Sequence, residues 1–171
     1  MCLAHGKEKI MAIRNIIPDT DEILHKKCRP IDKITDKIKV LAEDMIDTLR
    51  EAGGVGLAGP QVGMLRRIFV INITPDAKKG EEEFKVFINP EIIAKMGEQE
   101  EPEGCLSIVG FTGMVKRPKQ VAVKALDTDG NEFVWEGEAL MARAVCHEYD
   151  HLDGKTIRDT CEYEVVEEED E

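Results

Sequence analysis

Residues 137–154 read "GEALMARAVCHEYDHLDG", and the period of this stretch decides the fold. Leu140, Ala144, His147 and His151 fall on one helical line, at i, i+4, i+7 and i+11. Met141, Val145, Glu148 and Leu152 fall on the neighbouring line. Both lines belong to the broad apolar face of a helix that packs inward. Two imidazoles and a carboxylate are thereby aimed at the core. A pair of hydrogen-bonded core histidines is the plain reading, and for one histidine it would be preferred. Here it must account for three polar groups on one stripe, and a buried carboxylate without a partner is strongly disfavoured. A metal ion supplies that partner, because histidines at i and i+4 sit one turn apart.

Outward from this helix the chain has the rhythm of an α+β protein. "ITDKIKVLAEDMIDTLREAGG" predicts a helix from Asp36 to Ala52, with Ile38, Leu41, Ala42, Met45 and Leu49 on one face, Thr35 as N-cap and Gly53 as stop. Strand-like segments follow at 66–73, 84–89 and 119–127, then a "DTDG" turn and a strand over 131–136. Strands gather in the middle, with a helix before and a helix after.

The bulk numbers fit one globular domain. The 171 residues are 42% hydrophobic and 34% charged, with a net charge of −12. No apolar run approaches a membrane span, and "MCLAHGKEKI" (1–10) lacks the apolar stretch of a secretory signal. Those ten residues read either as a dispensable extension before Met11 or as an ordinary N-terminus. The last segment, "EYEVVEEEDE" (162–171), is acidic without a base and predicts a solvated, frayed tail. No basic patch with interleaved aromatics is present, so a direct nucleic-acid site is not expected. Cysteines 2, 28, 105, 146 and 161 are odd in number and form no CxxC, which suits a reducing cytosol.

HExxH needs a third ligand. Downstream lie only tail acids such as Glu162, Glu164 and Glu167. Upstream, Cys105 sits in "PEGCLSI" (102–108), between strand regions, and a thiolate is a strong ligand for a borderline-soft divalent metal. Most lone cysteines are small buried hydrophobes, and spacing leaves these two readings of Cys105 even. A third segment, "GGVGLAGPQVG" (53–63), combines glycines that let a ligand approach the backbone with the amide of Gln61. By itself it also reads as a Gly-rich helix exit, and it is no phosphate loop.

Together the three segments resemble peptide deformylase. That family carries GxGxAAPQ, EGCLS and HExDH in this order, and here stand "GVGLAGPQ" (54–61), "EGCLS" (103–107) and "HEYDH" (147–151). "GFTGMVKRP" (110–118) also follows the family's G-aromatic-x-G-x-V-x-R-P run, and the resemblance spans Met11 to Arg158. Gly59 replaces the second alanine of the first motif and is expected to loosen that loop. Cys146 and Val109 replace a common glutamine and proline.

The resemblance implies one catalytic domain over 11–160, followed by an acidic tail over 161–171. The expected fold is α+β, with mixed, mostly antiparallel strands around a central C-terminal helix carrying HExDH and with an N-terminal helix. It implies a metal-dependent hydrolase that removes the N-formyl group from formyl-methionine of new polypeptides and releases formate. Cys105, His147 and His151 would hold one divalent metal, Fe(II) in most members, with zinc, nickel or cobalt able to enter. Glu148 would shuttle a proton. The Gln61 amide and the Leu106 N–H would donate to the formyl oxygen. Val55, Gly56 and Gly104 would bind the substrate backbone and side chain, and Glu103 with Arg117 would form a structural ion pair. The expected partners are nascent formyl-methionyl peptides, with transient ribosome association and no membrane. The expected location is a bacterial cytoplasm or a bacterial-type organelle. Two rival readings are an HExxH peptidase with a carboxylate or histidine third ligand, and a closed structural zinc site recruiting Cys146.

Overall fold

A computed structural model of the chain describes residues 12–167, so the extension expected over residues 1–10 lies outside the described residues. In chain order the elements are α1 (Asp36–Ala52), β1 (Gly56–Ala58), β2 (Ile68–Asn72), β3 (Phe84–Met96), β4 (Gln99–Cys105), β5 (Ile108–Arg117), β6 (Gln120–Leu126), β7 (Glu132–Glu138), α2 (Leu140–Leu152), α3 (Ile157–Thr160) and β8 (Tyr163–Glu164). Five strands form one antiparallel sheet in the order β1-β2-β3-β6-β7, and β4-β5-β8 form a second. A parallel bridge joins Arg29 to Arg66. No helix among the described residues is long and apolar enough to cross a membrane.

The centre of the packing is β2, which reads as an unbroken apolar run because it is covered on both faces. Its side chains alternate in direction. Ile68 and Val70 join Leu41, Met45 and Leu49 of α1 in one core, while Phe69 and Ile71 join Phe87, Val145 and Leu152 in the other. Helix α2 contacts β1, β2 and β7 of the first sheet and β5 of the second. It is therefore the central element, as the sequence predicts. Helix α1 has its expected bounds, with Thr35 extended at the N-cap position and Gly53 closing it at φ 71.

Several boundaries differ from the sequence reading, each for a physical reason. Strand β3 runs 13 residues instead of stopping at 89. Pro90 looks like a stop, but it falls in a register shift between Ile88 and Glu91, where a ladder N–H is not needed. The β4–β5 hairpin is new: the segment placed between strand regions is itself strand, and Cys105 is the last residue of β4. Gly137 and Glu138 belong to β7, and α2 starts only at Leu140. Between them Ala139 has φ 50. Its N–H donates to Lys119 O, and its carbonyl accepts from Arg143 N and Gln99 Nε2. These bonds hold a backbone conformation that alanine rarely adopts. The outer end of the expected inward stripe is open, since Leu140 is 39% exposed.

The tail expectation is corrected at its start. Tyr163 and Glu164 pair with Met114 and Gly113 of β5, and Val165 N donates to Thr112 O. Alternating acids do not prevent a strand when a free sheet edge offers backbone partners. Gly59 does not loosen its loop either. It opens a buried 3-10 turn, Gly59–Val62, and a Cβ there would stand 2.8 Å from both Met64 O and Arg66 O. Glycine at 59 lets the chain close more tightly, not less.

Candidate active site

Three elements converge on one end of α2: the end of β4, the Gly59–Val62 turn and α2 itself. Cys105 Sγ lies 3.4 Å from His151 Nε2, which lies 3.2 Å from His147 Nε2. These three ligand atoms all fall within 4.8 Å of one another, and they form the one such cluster of metal-binding side chains found among the described residues. Two nitrogens held about 2.05 Å from a tetrahedral ion would stand roughly 3.3 Å apart, with a sulfur roughly 3.5 Å from each. The two measured edges match those of such a triangle.

The surroundings prepare the donors. Arg117 grips both oxygens of Glu103, at 3.0 and 2.9 Å, and also holds Asp150 at 2.6 Å. Glu103 Oε2 in turn faces His147 Nδ1 at 3.1 Å. Burial alone would raise the Glu103 pKa, but hydrogen bonds from His147 and Arg117 and the Arg117 charge outweigh it and hold it at about 2. An ionised carboxylate only accepts, so Nδ1 carries a proton and Nε2 is left to face Cys105 and His151. Burial disfavours the His147 cation, yet hydrogen bonds to Cys105 and Glu103 push its pKa to about 10. Burial, followed by the charges of His147 and Arg117, drives His151 the other way and keeps its imidazole neutral.

Glu148 is buried, and its Oε2 has no partner among the described residues. Burial raises its pKa to about 7, against the opposing charge of His147. Its carboxylate rests on Gly56, where an added Cβ would stand 2.5 Å from Oε1. Such a buried, unsatisfied oxygen beside three convergent ligand atoms fits a bound divalent ion with an open position. Gln61 completes the inner wall. Its Oε1 accepts the Ala58 N–H at 2.9 Å, so its Nε2 is turned to Ser107 Oγ at 3.1 Å and Cys105 Sγ at 3.6 Å.

Gln61, Glu103, Cys105, His147 and Glu148 line a cleft of about 400 Å³, together with Val55, Gly56, Gly104 and Leu106. Every ligand, catalytic and substrate-binding residue that the resemblance implies thus reaches the same cleft or its ligand cluster. Cys146 does not: it is buried among Phe87, Val123 and Val145, with burial lifting its thiol to about 11. Neither do the described tail acids join the cluster. Both rival ligand sets are therefore absent from this geometry. Sequence reading missed Ser107, Arg143 and Asp150. Asp150 had a signal, since i+3 from His147 places it on an adjoining helix line.

A family model described as polypeptide deformylase matches residues 13–165. A peptide deformylase 1 of Clostridium perfringens is 58% identical over 144 residues, covering 84% of this chain and 95% of that protein. A peptide deformylase of Clostridium botulinum is 48% identical over 149 residues, covering 87% and 97%. Among solved structures, a peptide deformylase from Legionella pneumophila matches with a TM-score of 0.81 at 44% identity, over 87% of this chain and 86% of that one. By sequence, fold and the shape of its site, the chain belongs to the polypeptide deformylase family, metal-dependent hydrolases that remove the N-formyl group of newly made polypeptides and release formate.

Proposed function

We propose that Cys105, His147 and His151 hold one divalent ion, iron(II), with zinc, nickel or cobalt able to take the same place. The observation that carries this reading is the orphaned, buried Oε2 of Glu148 beside the three ligand atoms. When bound, the ion supplies Lewis-acid activation of water at neutral pH. Glu148 takes the proton of the attacking water and returns it to the leaving amine nitrogen, a task suited to a group titrating near 7. The Gln61 Nε2–H and the Leu106 backbone N–H stabilise charge developing on the formyl oxygen, each donor contributing about 3–4 kcal/mol. Glu103, fixed by Arg117, holds the His147 ring and its tautomer.

The peptide lies extended between Val55–Gly56 and Gly104. Strands β1 and β4 stand at the outer edges of their sheets, and an edge can accept an added strand. Val55, Leu140 and Ala144 offer apolar surface for the methionine side chain. The working unit is a single domain that runs on past residue 160 to β8, which pairs with β5. It acts in a bacterial cytoplasm or bacterial-type organelle, in transient contact with the ribosome that delivers the nascent chain.

The test is formate release from formyl-Met-Ala-Ser by protein loaded anaerobically with iron(II) or nickel(II). Elemental analysis of Cys105→Ala should show the ion lost, whereas Cys28→Ala, Cys146→Ala and Cys161→Ala should retain it. A fully occupied Cys105→Ala would sink the ligand set.

A further inference from the structure

Arg143 is a cation in the wall of this cleft, and the mechanism above does not use it. It sits one turn before His147 on α2, and helical side chains lean toward the helix N-terminus. Its neighbours in the lining are Leu140 and Ala144, with Val55 also in the wall. Those three are the apolar surface assigned to the methionine side chain. The other charges there are accounted for: Glu103 is gripped by Arg117, and Glu148 faces the ligand cluster. Arg143 is not. Its side chain is 18% exposed, its salt-bridge partner Glu101 stands 4.0 Å away and is itself 54% exposed, and its Nε is buried with no partner among the described residues. A guanidinium has five N–H donors, and this one is under-satisfied at the edge of an apolar pocket.

A thioether is only a weak acceptor. Its oxidised form, the sulfoxide, is polar and carries a strong acceptor oxygen. A wholly apolar pocket rejects a sulfoxide, because the S=O group would be buried without a partner. Arg143 offers that partner and gains one itself. We propose that Arg143 lets this enzyme deformylate peptides that begin with formyl-methionine sulfoxide, a substrate class set by a donor in the wall of the methionine pocket. The inference rests on the deformylase reading above. The reaction is unchanged: water adds to the formyl carbon, the C–N bond breaks, formate leaves and the amine nitrogen takes up the proton given by the water. The S=O group is neither oxidised nor reduced.

The experiment compares kcat/KM for formyl-Met(O)-Ala-Ser and for formyl-norleucine-Ala-Ser, whose side chain has similar length and no acceptor. Their ratio is taken in the wild type, Arg143→Met and Arg143→Lys, so a loss common to both substrates cancels. In the wild type the ratio should be no lower than about one-tenth, and Arg143→Met should lower it at least about tenfold, the scale of one unpaired buried polar group. Arg143→Lys, which keeps a charged donor, should fall between. A wild-type ratio below one-tenth, or a smaller change in Arg143→Met, overturns the proposal. Should melting show Arg143→Met unfolded, the wild-type ratio and a drop of at least about threefold in Arg143→Lys decide by the same rule. Formate from formyl-Met-Ala-Ser without this dependence defeats the sulfoxide proposal alone. No formate from any substrate defeats the deformylase reading with it.

Discussion

Helices α1 and α2 both bury polar side chains, yet they do so in opposite ways. On α1, Asp44, Asp47 and Thr48 are buried, and each is paired. Arg14 donates to Asp44 at 3.0 and 2.8 Å, Thr48 donates to Asp44 O and accepts from Arg14 N, and Arg50 reaches Asp47 at 3.1 Å. On α2, Arg143 Nε, Glu148 Oε2 and His151 Nδ1 are buried without partners, and these are the unpartnered buried side-chain atoms found among the described residues. Burial of a polar group is thus no sign of function here. Burial without a partner is, because the fold carries an uncompensated desolvation penalty that a ligand can relieve. Helix α1 uses its polar residues to tie the chain near Arg14 to the core. Helix α2 holds its own in reserve.

The contrast can be broken most directly at Glu148. Glu148→Gln keeps the shape and loses the proton acceptor, so kcat should fall by roughly 10² to 10⁴. Metal content should stay at the wild-type level, and the melting temperature should hold or rise, since an unpaired buried carboxylate has been neutralised. Near-normal turnover would remove Glu148 from the mechanism, and loss of metal would make it a ligand.

Glu103 tests the paired side of the same site. Its pKa is lowered in the fold to about 2 from an ordinary 4.5, so its ionised form stabilises the protein. That contribution is complete above about pH 4.5 and is lost as the pH falls toward 2, because the unfolded chain takes up the proton first. Glu103→Gln should therefore lower stability by up to about 3 kcal/mol at pH 7, and the gap should close as the pH drops through that window. Urea midpoints at pH 7, 4 and 3 measure it. A gap that is constant over this range would show that the carboxylate charge does not stabilise the fold.

On α1 the expectation reverses. Asp44→Ala strands the Arg14 guanidinium and should cost about 1–3 kcal/mol in stability, while kcat/KM stays within about twofold at a temperature where both proteins are folded. An activity loss larger than that would mean that α1 also serves the cleft. The smallest effect belongs to the end of the chain. Deleting residues 166–171 leaves β8 and the Val165–Thr112 hydrogen bond intact, so melting should shift by less than about 1 °C. A shift of several degrees would show that the acidic segment docks beyond β8.

What sequence alone determined here is local and periodic. Helix α1 was legible to both ends, because a 3.6-residue apolar repeat closes with Thr35 and Gly53. The inward aim of His147, Glu148 and His151 followed from the same geometry, and three motifs in order pointed to the chemistry. The β4 strand was not legible. "QEEPEGC" has no alternation and contains a proline, and it is a strand only because β5 supplies its backbone partners. The extension of β3 past Pro90 needed a bulge, and β8 needed the free edge of β5. Likewise Cys105 was an even choice between ligand and small hydrophobe until the hairpin turned it toward His151, 46 residues away. Gln61, 44 residues from Cys105, offered only an amide until the Ala58 N–H took its oxygen and turned its nitrogen to the thiol. Periodicity fixes which way a side chain leaves its own helix. Which distant group it meets there is set by long-range pairing and packing, and among those meetings are the ones left incomplete.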